Sequence, residues 1–164
     1  MPELNLKKLA EFLVKAKKNT YASLNKMEIE PERPGFDELE FEGEGFYYRD
    51  SYVGFFQAPG MEVVRLDGKN GKSIWTMAYS GGMLKKYHGD VDFAKKVFTF
   101  LKKALEAVSV ESPFRGPKNL KDNEWEYVND IEGDIERFVG YEKIFFKKEE
   151  VFSQDYIGGI VLDK

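Results

Sequence analysis

Eight residues, Phe46-Tyr47-Tyr48-Arg49-Asp50-Ser51-Tyr52-Val53, decide the fold because their side chains alternate with a period of two. In a strand, neighbouring side chains point to opposite faces of the sheet. Tyr48 and Tyr52 therefore share one face with Asp50, while Arg49 lies on the other. The pattern predicts a strand with an aromatic face, and it places a carboxyl group among the rings.

Two further strands and one helix surround this stretch. The runs Glu62–Leu66 and Ser73–Ser80 also read as strands, and the turn-forming residues 67–71 between them predict a hairpin connection. Before the aromatic stretch, Leu4–Lys18 carries apolar residues at helical spacing, which predicts an amphipathic helix. The proline-containing segment that follows, through Gly35, is expected to be a loop.

The second half of the chain repeats this order of elements. Asp90 is a candidate N-cap for a second helix, because apolar side chains form one stripe from Val91 to Val108. After a break at residues 112–117, three more strands are predicted. They are Trp125–Glu132, Arg137–Lys147 and Glu149–Tyr156.

Together these elements predict an α+β fold in the order α-βββ-α-βββ. About six strands in two meanders form an antiparallel sheet packed by two main helices, because two helices are too few to connect parallel strands. Residues 1–164 are expected to form a single domain, since this length suits one hydrophobic core. The apolar residues 156–162 are expected to be an edge strand or a docking segment, and an exposed edge would favour a homodimer.

Composition narrows the classes of function. The chain has no cysteine, which excludes disulfides and thiolate metal sites, and its net charge of −4 argues against broad binding of nucleic acid. No apolar run is long enough to span a membrane and no secretory signal is recognisable, so we expect a cytoplasmic protein without a membrane partner. Abundant Lys and Glu, with glutamine only at Gln57 and Gln154, are typical of heat-adapted proteins and predict thermostability. No cofactor or metal is expected, because the one histidine, His88, lies in a loop before Asp90.

Several short segments occur in a fixed order along the chain. They are Lys18-Asn19-Thr20-Tyr21-Ala22, Arg33-Pro34-Gly35, Tyr48–Gly54, Trp75–Tyr79, Phe114-Arg115-Gly116-Pro117, Gly133-Asp134, Phe138–Glu142 and Gly158-Gly159. Together they resemble the family called domain of unknown function 5680. Members often follow an Xre-type helix-turn-helix domain in bacterial regulators, so the resemblance implies a sensing or effector role, here for a stand-alone domain. The loop after the first helix leaves no room for a recognition helix, so DNA binding is not carried over.

Asp50 and Glu142 are the candidate chemical groups, since alternation places both on inward strand faces. Buried carboxyl groups can have raised pKa values and act as general acid and base, which would suit a hydrolase or an isomerase. Alternatively, Arg115 pairs with one of them as a structural tie, because a buried charge needs a partner. A third hypothesis makes them part of a ligand pocket.

Aromatic side chains around these groups could line such a pocket, although aromatic residues on strands also build cores. The predicted ligand-binding residues are Tyr48, Asp50, Tyr52, Trp75, Tyr79, Arg115 and Glu142. No phosphate-binding or nucleophile motif is present, even at Ser80-Gly81-Gly82. The sequence therefore favours a small-ligand-binding domain with an aromatic pocket over an enzyme, with a homodimeric interaction module as a further alternative.

Overall fold

A computed structural model describes residues 4–23 and 28–163 of the chain. This part contains two helices and nine strands. In chain order they are α1 (Leu6–Asn19), β1 (Glu28–Ile29), β2 (Asp37–Gly43), β3 (Phe46–Tyr52), β4 (Gly60–Leu66), β5 (Ser73–Met83), α2 (Val91–Leu105), β6 (Asn119–Asp122), β7 (Trp125–Asp134), β8 (Arg137–Phe146) and β9 (Glu149–Ile160). A short 3₁₀ turn, Lys85–Tyr87, precedes α2.

All nine strands form one antiparallel sheet in the order β1-β2-β3-β4-β5-β9-β8-β7-β6. One meander forms each half, and the halves join where β5 pairs with β9 over nine residue pairs, from Trp75↔Ile160 to Met83↔Phe152. The edge strands β1 and β6 have only two and four residues. They cover only part of the neighbouring strands, so residues 40–43 of β2 and 130–134 of β7 have no strand partner on that side among the described residues.

The predicted α+β class with an antiparallel sheet is confirmed, but the number and order of strands are wrong. Nine strands replace about six, because β1 lies in the expected loop and β2 and β6 lie in segments for which no strand was predicted. β2 alternates acidic with apolar residues, and acidic residues have low strand propensity. The expected edge strand at residues 156–162 is also wrong, since β9 lies between β5 and β8 in the sheet. Part of the expected loop, residues 24–27, lies outside the described residues.

The helices are set by caps and apolar stripes. Asn5 accepts a hydrogen bond from the Lys8 amide at 3.0 Å and begins α1, while Asp90 accepts one from the Phe93 amide at 3.0 Å and begins α2, as predicted. Such caps satisfy amides that have no partner within the helix. Neither helix is both long and apolar enough to cross a membrane.

The helices bury two apolar clusters against the same face of the sheet, here called the inner face. α1 packs on the first cluster, which includes Trp75 and Met77. α2 packs on the second, which includes Met83. Trp75, Met77 and Met83 are separated by even numbers of residues along β5, so their side chains point to the same face of the sheet. The region between the clusters is where the polar side chains of the candidate site lie.

Candidate functional site

A band of polar side chains separates the two apolar clusters on the inner face. On β8, Glu142 lies between Phe138 of the first cluster and Ile144 of the second. Gln154 faces Glu142 across the ladder on β9. We call this set the polar belt. It consists of Lys17, Asp50, Glu62, Tyr79, Arg115, Tyr127, Glu142 and Gln154.

A glycine places the first pair of the belt. Gly60 on β4 lies beneath the ring of Tyr79 on β5, and a Cβ atom added at Gly60 would come within 2.4 Å of the Tyr79 Oη. Because Gly60 has no side chain, Tyr79 reaches across β4 to β3. Its hydroxyl donates a hydrogen bond of 2.6 Å to Oδ1 of Asp50. The glycine is therefore part of what positions the carboxyl group.

Asp50 is a buried carboxyl group with a pKa near neutrality. Burial disfavours its charged form, and the nearby Glu62 carboxylate adds repulsion; together they raise the pKa from 3.8 to about 7. The hydrogen bond from Tyr79 and the charges of Lys17 and Arg115 act in the opposite direction but are weaker. Asp50 can therefore take up or release a proton near pH 7.

Glu142 is fully buried and every bond it accepts comes from the protein. Arg115 donates from Nε at 3.0 Å and from Nη2 at 2.6 Å to Oε1, which also accepts from Gln154 at 2.9 Å. Tyr127 donates to Oε2 at 2.6 Å. Although burial opposes the charge of Arg115, Glu142 outweighs it and holds the Arg115 pKa well above its ordinary value. The structural alternative for Arg115 is the one observed.

A second buried ion pair joins α1 to the sheet. Lys17, in the last turn of α1, contacts the Glu62 carboxylate on β4, and both side chains are almost entirely buried. Burial lowers the pKa of Lys17, and the Glu62 charge opposes this shift. The inward direction of both side chains can be read from their spacing. Lys17 lies four residues after Leu13, on the apolar face of α1, and Glu62 lies two residues before Val64, on the same face of β4. Inward charges of this kind are a signal that sequence reasoning did not use.

A cavity of about 500 Å³ opens beside the belt, between the sheet and α2. Asp50, Tyr79, Arg115 and Gln154 reach it from the belt. The remaining walls are mostly aromatic or apolar, with charged side chains added by α2 and β2. They are Tyr21, Asp37, Tyr52, Phe55, Lys95, Phe98, Leu101, Lys102 and Phe152, together with Gly54, Ala58, Gly81, Gly82 and Thr99.

Comparison with known proteins gives one match. The family model described as domain of unknown function (DUF5680) matches residues 50–161, which is more than half of the chain. The chain belongs to this family. Searches of curated proteins and of solved structures gave no match. The match to DUF5680 begins at Asp50 and includes Tyr79, Arg115 and Gln154, whereas α1 with Lys17 lies before it. The regulator context implied by the resemblance stays a prediction.

In the structure of this chain, four of the seven predicted ligand-binding residues line the cavity, namely Asp50, Tyr52, Tyr79 and Arg115. The other three are buried elsewhere. Tyr48 lies in the first cluster, where burial raises its pKa well above the ordinary value. Trp75 stacks on Phe138 and donates from Nε1 to the Ile135 carbonyl at 3.2 Å. Glu142 is sealed by its four hydrogen bonds.

His88 and the other metal-ligating side chains of this DUF5680 domain do not converge on one point. Nε2 of His88 lies 2.9 Å from the Met83 carbonyl oxygen, and its ring stacks on Phe56. In residues 4–23 and 28–163, no three His, Cys, Asp or Glu side chains are grouped as metal ligands would be. The polar belt is therefore the one chemical feature of the described residues that combines buried charges with a cavity of molecular size.

Proposed function

We propose that this DUF5680 domain binds a small organic molecule in the cavity beneath α2, and that the molecule is largely apolar and carries a basic nitrogen. The observation that supports this most directly is Asp50, a buried carboxyl group that lines a cavity of about 500 Å³. Cavities of about 300–1,000 Å³ with apolar walls and a few polar groups are the usual form of small-molecule sites.

The charge balance of the belt supports a cationic ligand. Three carboxyl groups and two cations are buried together: Glu62 pairs with Lys17 and Glu142 pairs with Arg115. Asp50 is left without a Lys or Arg within ion-pair distance among the described residues. Its ionised form is therefore an uncompensated buried charge, which the raised pKa reflects. A protonated amine or amidine at Asp50 would supply the missing positive charge.

The hydrogen-bond acceptors at the cavity also support a ligand with a basic nitrogen. Tyr79 uses Oδ1 of Asp50, and the Gln154 amide nitrogen is used by Glu142. Within the described part of the chain, no donor is bonded to Asp50 Oδ2 or Gln154 Oε1, so both remain as acceptors, and a ligand with N–H donors suits both. Aromatic rings at Tyr52 and Phe98 suit a flat or cationic group as well. The lysines at the rim are partly exposed, so water and salt screen their repulsion.

The hypothesis of a hydrolase or isomerase with Asp50 and Glu142 as acid and base has less support. Glu142 is fully buried and does not line the cavity, because its oxygens are occupied by Arg115, Tyr127 and Gln154. A general base must reach the proton that it removes. Cytoplasmic location, thermostability, the effector role and a homodimer stay predictions.

Native mass spectrometry of the purified protein, before and after denaturation, is the first test. A small molecule released on unfolding would support the proposal, and its mass would give its composition. Mass alone does not locate the ligand, so the measurement is repeated on Ala58→Trp, which fills part of the cavity from its wall. We expect the released molecule to be lost from this variant; retention in full would contradict the proposed site.

Titration with benzamidine and benzamide tests the charge requirement, because the two probes have nearly the same shape and differ in charge. We expect benzamidine to bind roughly tenfold or more tightly than benzamide, since hydrogen bonds to charged groups contribute about 1.5–3 kcal/mol. Asp50→Asn should remove this preference, whereas the matched change Asp155→Asn, on the opposite face, should not. Equal binding of both probes, or no binding of either, would refute the proposed ligand class.

A further inference from the structure

The face of the sheet opposite the helices carries an open trough of about 590 Å³ across β5, β9, β8 and β7. Two cross-strand rows form it, and we call them the outer trough. The first row is Ala78, Ile157, Val139 and Glu132, and the second is Ser80, Asp155, Tyr141 and Asp130. These side chains alternate with the inward Tyr79, Gln154, Tyr156 and Glu142, so they point away from both helices.

Large apolar side chains of the outer trough are in contact with water. Ile157 is 56% exposed, Val139 44% and Tyr141 42%, and the three lie on the neighbouring strands β9 and β8. Scattered exposed apolar residues are ordinary, but a contiguous apolar patch in a concave surface marks an interaction site. Both helices of the described residues pack on the inner face, so neither covers this patch.

The outer trough is also acidic. Asp130, Glu132 and Asp155 lie in it, and none of them has a Lys or Arg within ion-pair distance among the described residues. The nearby Lys143 is held by Glu150 at 3.0 Å. On the same face at β2 and β3, by contrast, Arg49 contacts Glu32 at 2.8 Å and Glu38 at 3.7 Å. The fold neutralises its acidic groups there and leaves them unneutralised in the trough.

We infer that the outer trough is a docking surface for a basic amphipathic helix of a partner protein. The apolar row would receive the helix's apolar stripe, and the carboxylates would meet lysines or arginines on its flanks. Four strands at a spacing of about 4.8 Å span the width of a helix of about 10 Å. β5, β9 and β8 are paired on both sides, and β7 has no strand partner on its outer side at residues 130–134 within the described part of the chain. A β-strand added at that edge would extend the sheet in its own plane and would leave the apolar side chains of the trough uncovered.

Charge also separates this occupant from the alternatives. A second copy of the chain would bring the same three carboxylates against their equivalents around a two-fold axis, which costs free energy. Nucleic acids and anionic lipids are repelled by the same groups. A partner with positive flanks gains from them.

The test uses three synthetic peptides and fluorescence anisotropy. One carries leucines at positions i, i+3, i+4 and i+7 with lysines on its flanks; the second has the same stripe with glutamates; the third scrambles the first. We expect only the first to bind, and Asp130→Lys with Asp155→Lys to weaken it tenfold or more. The matched control Glu106→Lys, at the end of α2, should leave binding unchanged.

Two results would overturn the inference. One is equal binding of the lysine and glutamate peptides, or binding that the double variant does not change. The other is a dimer in sedimentation velocity that Ile157→Lys dissociates, because the trough would then be covered by a second copy. Circular dichroism and thermal melting of each variant confirm that the changed proteins are folded.

Discussion

Asp50 on β3 and Glu142 on β8 are both carboxyl groups on the inner face, yet the fold surrounds them differently. Glu142 accepts four hydrogen bonds, two of them from Arg115, and lines no cavity. Asp50 has one donor among the described residues, Tyr79, and it lines the cavity with its pKa raised to about 7. A carboxylate with a matched cation and full hydrogen bonding fixes the structure, whereas one without a cation is available to a ligand.

Arg115→Met removes the cation that pairs with Glu142, and we expect it to give the largest loss of unfolding free energy. The change leaves Glu142 buried without its cation, which typically costs about 3–5 kcal/mol of unfolding free energy. Urea unfolding at neutral pH measures it. The matched change Arg137→Met removes an exposed arginine from the same sheet and should cost less than about 0.5 kcal/mol.

A double variant shows whether charge or packing causes the loss at Arg115. Arg115→Met with Glu142→Gln removes both charges, so it should recover part of the stability that the single variant loses. If the double variant is as unstable as the sum of the two single variants, the charges do not interact, and the description of Glu142 as a sealed ion pair fails.

Asp50→Asn removes the carboxyl group that has no paired cation among the described residues, and its effect on stability depends on pH. Wild-type Asp50 has a higher pKa folded than unfolded, so the folded state holds its proton more tightly. Its contribution to stability is complete below the unfolded value of 3.8 and is lost as pH rises through about 7. Asparagine does not titrate, and its side-chain oxygen can still accept from Tyr79.

We therefore expect the unfolding free energy of the wild type to fall by about 3 kcal/mol relative to that of Asp50→Asn between about pH 5 and pH 8. One pKa unit corresponds to about 1.4 kcal/mol. Unfolding curves of both proteins across this range give the difference directly. Parallel pH profiles would mean that Asp50 is not the uncompensated carboxyl group, and the proposed ligand chemistry would lose its basis.

The sequence predicts Asp50 better than Glu142 because alternation reports only the direction of a side chain. The pattern at Phe46–Tyr52 places Asp50 inward with Tyr48 and Tyr52, and all three are buried. The same rule places Glu142 inward, but whether an inward group meets a cavity or an arginine depends on Arg115, which comes from a distant loop. The sequence names Arg115 as a partner for one of the two carboxyl groups, but a local pattern does not show which of them it meets.

Strand pairing limits the prediction of the fold for the same reason. The stripe from Val91 and the cap at Asp90 identify α2 correctly, although the helix ends at Leu105 rather than Val108. The pairing of β5 with β9 joins residues about 75 positions apart, and no hairpin turn reports it. The cavity forms beside this junction, so its existence could not be read from either meander alone.

Gly60→Ala is the last and smallest test of the comparison, because it acts on Asp50 through Tyr79. A Cβ at this position would come within 2.5 Å of the Tyr79 ring and 2.7 Å of the Ser51 carbonyl oxygen, so the ring must move. Overpacking of this kind costs about 1–3 kcal/mol. Because the Tyr79 hydrogen bond lowers the Asp50 pKa, its loss should raise that pKa further above 7, visible by NMR titration. Gly43→Ala, whose Cβ would meet only the Phe41 ring at 3.7 Å, should change neither quantity. If Gly60→Ala also leaves the Asp50 pKa unchanged, Tyr79 is not the donor that positions this carboxyl group.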